Sequence, residues 1–213
     1  MFIGHFAVGL AAKKAAPSVS LGILFFAVQF LDLLWPTLLL LNLEQVEITT
    51  DPTAPIPLRF VHYPISHSLL TAAGWGAAIG LLYWLARKNQ RAAIIVGLCV
   101  LSHWILDLIV HIPDLPLYPG DSSPLLGLGL WHSKLWTLVL ETLIFAAGIY
   151  LYQGVATPRN NAAKYSFWAL MVFLYGIYLS NIFGPPPPSV EAIAWAGQLQ
   201  WLFVLWAWWV DRK

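Results

Sequence analysis

Apolar runs long enough to cross a membrane follow one another through almost the whole chain. A hydrocarbon layer about 30 Å thick is crossed by about 20 residues of α-helix. Charged residues make up only 10% of the 213 residues, whereas a soluble domain carries about a quarter. The sequence therefore predicts an all-α polytopic membrane helical bundle that forms a single transmembrane domain over 1–213. Its six predicted transmembrane helices lie at about 18–42, 65–86, 91–112, 133–153, 164–183 and 191–210.

The first apolar segment is too short to be a seventh span. Residues 1–16 begin with MFIGHFAVGLAA and contain Lys13 and Lys14 near their end, with Pro17 just beyond. Cations that follow an apolar segment are in the wrong order for a cleavable secretory signal. We expect an N-terminal half-helix that packs against the first span, and the alternative is a helix that lies flat at the membrane surface.

Cations and acids alternate between successive connections, and the cations are retained on the cytoplasmic side of short loops. We therefore expect a multi-pass protein of the cytoplasmic (inner) membrane with both termini in the cytoplasm. The cations that set this orientation are Lys13, Lys14, Arg87, Lys88, Arg91, Arg159, Lys164, Arg212 and Lys213. The opposite connections carry Glu44, Glu47, Asp51, Asp114, Asp121 and Glu191, with one cation, Arg59.

The charge balance and the cysteine count exclude other classes of protein. The formal net charge is +1, and Cys99 is the only cysteine. This balance offers no basic face to a nucleic-acid backbone, and one thiol cannot form an intramolecular disulfide. We expect no nucleic-acid partner, and the oligomeric state stays open.

Acidic and imidazole side chains interrupt four of the predicted spans. An aspartate at mid-helix costs roughly 2.5–3.5 kcal/mol to insert, so each needs a partner or a function. The helical rise places His103, Asp107 and Asp32 about 18, 24 and 22 Å above the cytoplasmic ends of their helices. Residues of separate helices should therefore meet in one layer of the outer half of the membrane. The predicted members are Asp32, His67, His103, Asp107 and Glu141.

Three of the polar residues repeat at intervals of four along the third span. His103, Asp107 and His111 are each rotated about 40° from the last on a helix, so they project along one face. Imidazole and carboxylate suit zinc, manganese or iron, and the lack of cysteine ligands disfavours a closed structural zinc site. The alternative is that Asp107 only orients His103 while His111 lies at the interface. His5, about 15 Å up in the half-helix, is a further candidate ligand.

Polar residues at the outer ends of the second and fourth spans are candidate substrate contacts. A helix that starts at Pro64 would direct backbone donors and the positive end of its dipole outward, towards a phosphate or carboxylate. Lys134 is either an anion contact or an interfacial anchor. The candidate substrate-binding residues are His62, Ser66, Ser68, His132 and Lys134.

The order of these residues resembles a known family. The similarity is to the bacterial membrane-bound metal-dependent hydrolases, described as LexA-regulated inner-membrane hydrolases, and covers roughly residues 1–115. It is carried by His5, Asp32, the His67-Ser68-Leu69 opening of the second span and His103-xxx-Asp107. The order is more distantly similar to that of the zinc-dependent phospholipases C. The resemblance implies that the metal ligands are His5, Asp32, His67, His103, Asp107 and His111.

The chain departs from the phospholipase pattern at one place. That pattern ends in a His-xxx-Glu pair, whereas His132 and Glu141 here are nine residues apart and cannot bind one ion as neighbours on a helix. We therefore expect one or two metal ions, not three.

These predictions lead to one main hypothesis and two alternatives. The main hypothesis is a metal-dependent hydrolase with an outward-opening site, zinc as the first expected metal, and a lipid or small amphipathic phosphoester as substrate. Bound metal would lower the pKa of a water molecule, and Asp107 or Glu141 would accept its proton. The alternatives are a divalent-ion or proton transporter that uses the same cluster, and a non-catalytic membrane protein with a structural metal site.

Overall fold

A computed structural model describes residues 1–49 and 56–211. The expectations for Asp51, Arg212 and Lys213 lie outside these residues. The helices are α1 (Ile3–Ala15), α2 (Leu21–Val28), α3 (Phe30–Leu40), α4 (Pro64–His67), α5 (Leu69–Arg87), α6 (Gln90–Val110), α7 (Lys134–Gln153), α8 (Asn161–Phe183), α9 (Val190–Gln198) and α10 (Gln200–Val210). The strands are β1 (Gln45–Ile48), β2 (Leu58–His62), β3 (Leu115–Pro116) and β4 (Leu125–Leu126), and a 3-10 turn covers Leu130–His132.

The described helices that are long and apolar enough to cross a membrane confirm four or five of the six predicted spans. Within the described ranges, α5, α6, α7 and α8 are each long and apolar enough, and α2 with α3 is a fifth if the pair, bent by 55°, is one span. The structure is thus mostly helical and consistent with a membrane protein. The predicted span 191–210 is divided at Leu199 into two short helices, so six spans are not confirmed.

The prediction of an all-α chain also needs a correction in the connections. Strands β1 and β2 pair antiparallel, and β3 pairs with β4 in a second small hairpin. In β1, buried Val46 lies between exposed Gln45 and Glu47. This alternation of period two suits a half-buried strand and cannot give a helix an apolar face.

Helix α1 lies inside the bundle and not along its surface. Ile3, Phe6 and Leu10 are fully buried, and the helix packs mainly on α7, with further contacts to α2 and α6. A Cβ atom on Gly148 of α7 would lie 2.6 Å from the carbonyl oxygen of Ala7, so only glycine allows this approach. The buried position of α1 brings His5 to the level of the polar residues on the longer helices.

Two helix breaks face each other near the middle of the bundle. Gln29 separates α2 from α3, and its buried side-chain amide donates to Gln200 Oε1 at 3.0 Å. Gln200, next to the break at Leu199, in turn donates to the main-chain oxygen of Asp32 at 3.4 Å. These polar contacts join the broken helices at the depth where Asp32 lies.

Helices α5 and α6 form a tight hairpin through small residues. A Cβ atom at Gly76 would lie 2.7 Å from the main-chain oxygen of Gly97, and one at Gly80 would lie 3.0 Å from that of Ala93. The spacing Gly76-xxx-Gly80 therefore serves helix packing.

A valine at Gly76 should separate these two helices. Overpacking a tight contact costs about 1–3 kcal/mol, so we expect Gly76→Val to lower the thermal unfolding midpoint of the protein in detergent. Gly74→Val on the same helix is the matched control, because nothing lies within 4 Å of a Cβ atom there. Equal midpoints for the two variants would contradict the proposed close packing.

Candidate metal centre

Five of the predicted polar residues meet at one place inside the bundle. His5 comes from α1, Asp32 from α3, His67 from the end of α4, and His103 with Asp107 from α6. They form two groups that could hold a metal ion, His5–His103–Asp107 and Asp32–His67–His103, each with ligand atoms within 4.8 Å of one another. All are buried except Asp32, which is half-buried. His103 belongs to both groups.

The distances between these atoms suit ligands around an ion. His103 Nε2 lies 3.2 Å from Asp107 Oδ2 and 3.6 Å from Asp32 Oδ1. His67 Nε2 lies 3.5 Å from the same Asp32 oxygen and 3.8 Å from Asp107 Oδ2. A tetrahedral ion with bonds of about 2.0–2.1 Å separates its ligand atoms by about 3.3 Å. The spacing of these nitrogen and oxygen atoms is therefore that of groups that could hold a metal ion.

The hydrogen bond of His103 determines which of its nitrogens is free. Its Nδ1 lies 2.6 Å from the main-chain oxygen of Val28, the last residue of α2. A carbonyl oxygen can only accept, so Nδ1 carries the proton and a neutral ring has its lone pair on Nε2. That buried Nε2 has no hydrogen-bond partner in the described part of the chain. Two carboxylates and this lone pair thus face one another, and a cation between them would relieve the repulsion.

His67 is oriented by a second chain of hydrogen bonds. Its Nδ1 lies 2.6 Å from Ser66 Oγ, and this hydroxyl lies 2.6 Å from Glu44 Oε2. The other Glu44 oxygen accepts from the backbone N–H groups of Ile65 and Ser66, each at 2.8 Å. Because a carboxylate only accepts, the Ser66 proton goes to Glu44 and the Ser66 oxygen accepts from His67 Nδ1–H. The lone pair of His67 Nε2 then faces Asp32 and Asp107.

Glu44 is the residue that sequence reasoning missed. It is only 2% exposed, although its position after the first span predicts a solvated loop acid. The β1–β2 hairpin returns the chain so that α4 begins directly beside it. No spacing in the sequence indicates this contact, because the partners are 22 residues apart and are joined by a hairpin.

His5 joins the cluster next to His103. The two imidazole rings stack with centroids 3.6 Å apart and planes 7° from parallel. His5 Nε2 lies 3.1 Å from Asp107 Oδ1, and both His5 ring nitrogens are buried without a hydrogen bond to described residues. The amino group of Met1 contacts the same Asp107 oxygen. His5 is therefore placed where a ligand is expected.

His111, in contrast, belongs to neither group, which corrects the expectation from its spacing. Helix α6 ends at Val110, and His111 has extended backbone with ψ 145°, so the third turn of the predicted face does not exist. Its Nδ1 lies 2.8 Å from Asp114 Oδ1. The same Asp114 oxygen accepts from the Tyr63 hydroxyl at 3.0 Å, and burial holds the pKa of Tyr63 well above its usual value. His111 is thus part of a neighbouring hydrogen-bond network.

Glu141 lies beside the cluster and also outside both groups. Its Oε2 accepts from the backbone N–H groups of Phe2 at 2.9 Å and of Gly4 at 3.3 Å. The carboxylate therefore satisfies free donors at the start of α1, where a negative charge is favourable. Glu141, Asp32, His67 and Asp107 all line one cavity of about 810 Å³, so Glu141 remains in reach of a molecule bound there.

The structure does not bring most of the predicted substrate contacts to this cavity. His62 at the end of β2 and His132 in the 3-10 turn are exposed, and neither they nor Lys134 are among the described residues that line it. Helix α4 is only four residues long, so a new helix begins at Leu69 and Ser68 caps it by accepting from Thr71 N at 3.2 Å. Ser66 acts on His67, as described above.

Comparisons of the chain with protein-family models, with curated protein sequences and with solved structures gave no match. The resemblance to the membrane-bound hydrolases therefore stays a prediction, and the chemistry of the site rests on its geometry.

Removal of His103 should abolish metal binding, because both groups depend on its Nε2. We expect His103→Ala, purified in detergent, to lose the bound metal that elemental analysis detects in the unchanged protein. His111→Ala should keep it, since its ring bonds to Asp114 instead. Metal content in His103→Ala equal to that of the unchanged protein would contradict this assignment of the ligands.

Ser66 and Ser68 should respond differently to the same substitution. Loss of a partner that orients a ligand typically weakens metal affinity about 10–100-fold, so Ser66→Ala should bind the metal more weakly in competition with a chelator. Ser68→Ala removes a helix cap and should lower the free energy of unfolding by about 1 kcal/mol with little change in affinity. The assignment of Ser66 is wrong if its variant keeps full affinity.

Proposed function

We propose that the protein is a membrane-embedded metal-dependent hydrolase that acts on a phosphoester in a lipid or amphipathic substrate. The observation that carries this proposal is the pair of imidazole lone pairs, on His67 and His103, that face the carboxylates of half-buried Asp32 and buried Asp107 beside a cavity of about 810 Å³. A cavity of this size is typical of sites that hold small organic ligands.

Zinc is the metal that we propose. The donors are imidazole nitrogens and carboxylate oxygens, and the open cavity leaves room for a substrate beside them, as in catalytic zinc sites. Both groups of candidate ligands include His103, but only its Nε2 can bind a metal, because Nδ1 bonds to the main-chain oxygen of Val28. This favours one ion over two, with His67, His103, Asp32 and Asp107 as its ligands and His5 next to Asp107.

The chain supplies groups for each part of a hydrolysis. When bound, a divalent ion lowers the pKa of a water molecule and polarises a phosphoryl oxygen. The water oxygen forms a bond to phosphorus, the bond from phosphorus to the leaving oxygen breaks, and one proton passes from the water to the leaving oxygen. We assign the transfer of this proton to Glu141, because both of its backbone hydrogen bonds go to Oε2 and leave Oε1 able to accept. Asp107 then acts as a ligand.

An opening towards the outer side is consistent with the connections that border the cavity. Its lining includes Ile56, Pro57 and Leu58 from one acidic connection and the proline run 185–188 from another. Both connections lie on the side that the distribution of cations predicts to be outside. We propose the cytoplasmic membrane as the location, with both termini in the cytoplasm.

A second candidate function is the transport of a divalent ion or proton. Broken helices that meet at mid-membrane are typical of transporter binding sites, and the Gln29–Gln200 contact joins two such breaks. Against a continuous path, Leu10, Leu24 and Phe25 are fully buried in the apolar core around α1 and α2. These residues favour a pocket over a conduit.

An assay of phosphoester hydrolysis in detergent separates the candidates. We expect turnover of a chromogenic phosphodiester that is lost on treatment with a chelator and restored by zinc. His103→Ala and Asp107→Ala should lower kcat/KM by at least about a thousandfold, and His62→Ala, at an exposed position, should leave it unchanged.

Two results would contradict the hydrolase proposal. Bound metal with no turnover of any phosphoester would favour a structural metal site, and metal-dependent flux in liposomes without hydrolysis would favour a transporter.

A further inference from the structure

We propose that the cavity beside the metal centre is a compartment for the apolar chain of a phosphate-bearing lipid, and that the chain enters it sideways from the membrane between α8 and α9. This inference rests on the proposed function, because it assigns the phosphate to the metal centre. It adds where the rest of the substrate lies and by which route it arrives.

The cavity borders the acidic and imidazole cluster, and most of its walls are apolar. Asp32, His67, Asp107 and Glu141 line it, and polar residues on α8 and α10 do so as well: Ser180, Asn181 and Gln200. A phosphoester group alone would occupy a small part of about 810 Å³, so the site has room for a long apolar substituent. The apolar walls include Phe173, Ile177 and Ile182 of α8, Ala192, Ile193 and Ala196 of α9, and Leu202 and Phe203 of α10.

The walls open towards the side of the bundle at the level of the spans. Three large apolar residues line the cavity and yet are half exposed: Phe173 is 50%, Leu199 57% and Leu202 56% accessible. Two of them lie on the spanning helix α8 and on α10, away from the connections. An exposed apolar rim at this depth would meet lipid chains and not water, as entry from the membrane requires.

The packing of the helices explains the opening. Helix α9 packs closely on α3, while α8 packs on α10. The cavity lies between α8 and α9, and residues of both helices line it. Pro185–Pro188 and Trp35 add further apolar groups to its lining. The charged headgroup of a lipid would lie at the ionisable cluster. Its apolar chain would lie against the apolar walls and leave between α8 and α9.

A tryptophan at the rim tests the compartment without touching the metal ligands. Two substrates with the same scissile bond are compared, ethyl and dodecyl p-nitrophenyl phosphate, with protein reconstituted in lipid nanodiscs. We expect Ala196→Trp to lower kcat/KM for the dodecyl ester at least about tenfold, because several methylene groups lose their apolar site, and to leave the ethyl ester within about twofold. Leu205→Trp is the control, because Leu205 is 59% exposed on α10 and does not line the cavity.

The results separate failure of this inference from failure of the proposed function. If Ala196→Trp lowers kcat/KM equally for the two esters, or does not lower it for the dodecyl ester, the proposed compartment is wrong while the hydrolase proposal stands. If neither ester is hydrolysed, the proposed function fails. The compartment is then tested by measuring the binding of ethyl phosphate and dodecyl phosphate to the same variants. Tighter binding of dodecyl phosphate that is lost in Ala196→Trp and kept in Leu205→Trp supports it, and affinity independent of chain length overturns it.

Discussion

One electrostatic constraint underlies the proposed metal centre. Asp32 and Asp107 meet the free nitrogens of His67 and His103 inside a helical bundle, where isolated charges are costly. Hydrogen bonds on the far side of each imidazole direct the lone pairs at the carboxylates. A cation in the proposed centre would make this arrangement favourable, because these residues supply the two groups of atoms that could hold one. The cavity, Glu141 at the start of α1 and His5 all lie next to these groups.

Irregular parts of the fold build the centre. The break at Gln29 ends α2 at Val28, so that the carbonyl of this residue meets His103. The short helix α4 ends at His67, and the hairpin before it brings Glu44 to Ser66. The half-length helix α1 inserts His5 beside His103. Straight spanning helices supply His103, Asp107 and Glu141, while each of the other contributions needs a helix to end or to bend inside the bundle.

The sequence predicts the regular part of this structure and misses the irregular part. Apolar length and the helical rise are local properties, so they predict the long helices and the common depth of Asp32, His103 and Asp107. A prediction from these properties assumes that every helix continues. It therefore places His111 on α6, although the helix ends at Val110, and it treats 191–210 as one helix. The role of Glu44 depends on a hairpin between residues 22 apart, and short-range patterns contain no information on such a contact.

The most direct test of the central claim is X-ray absorption spectroscopy of the metal in protein purified in detergent and loaded with zinc. The proposed metal centre should give about one zinc per chain with nitrogen and oxygen neighbours at about 2.0–2.1 Å, the outer-shell scattering of imidazole rings, and no sulfur neighbour. A spectrum of hydrated zinc without imidazole, a sulfur neighbour from Cys99, or the absence of stoichiometric metal would contradict it.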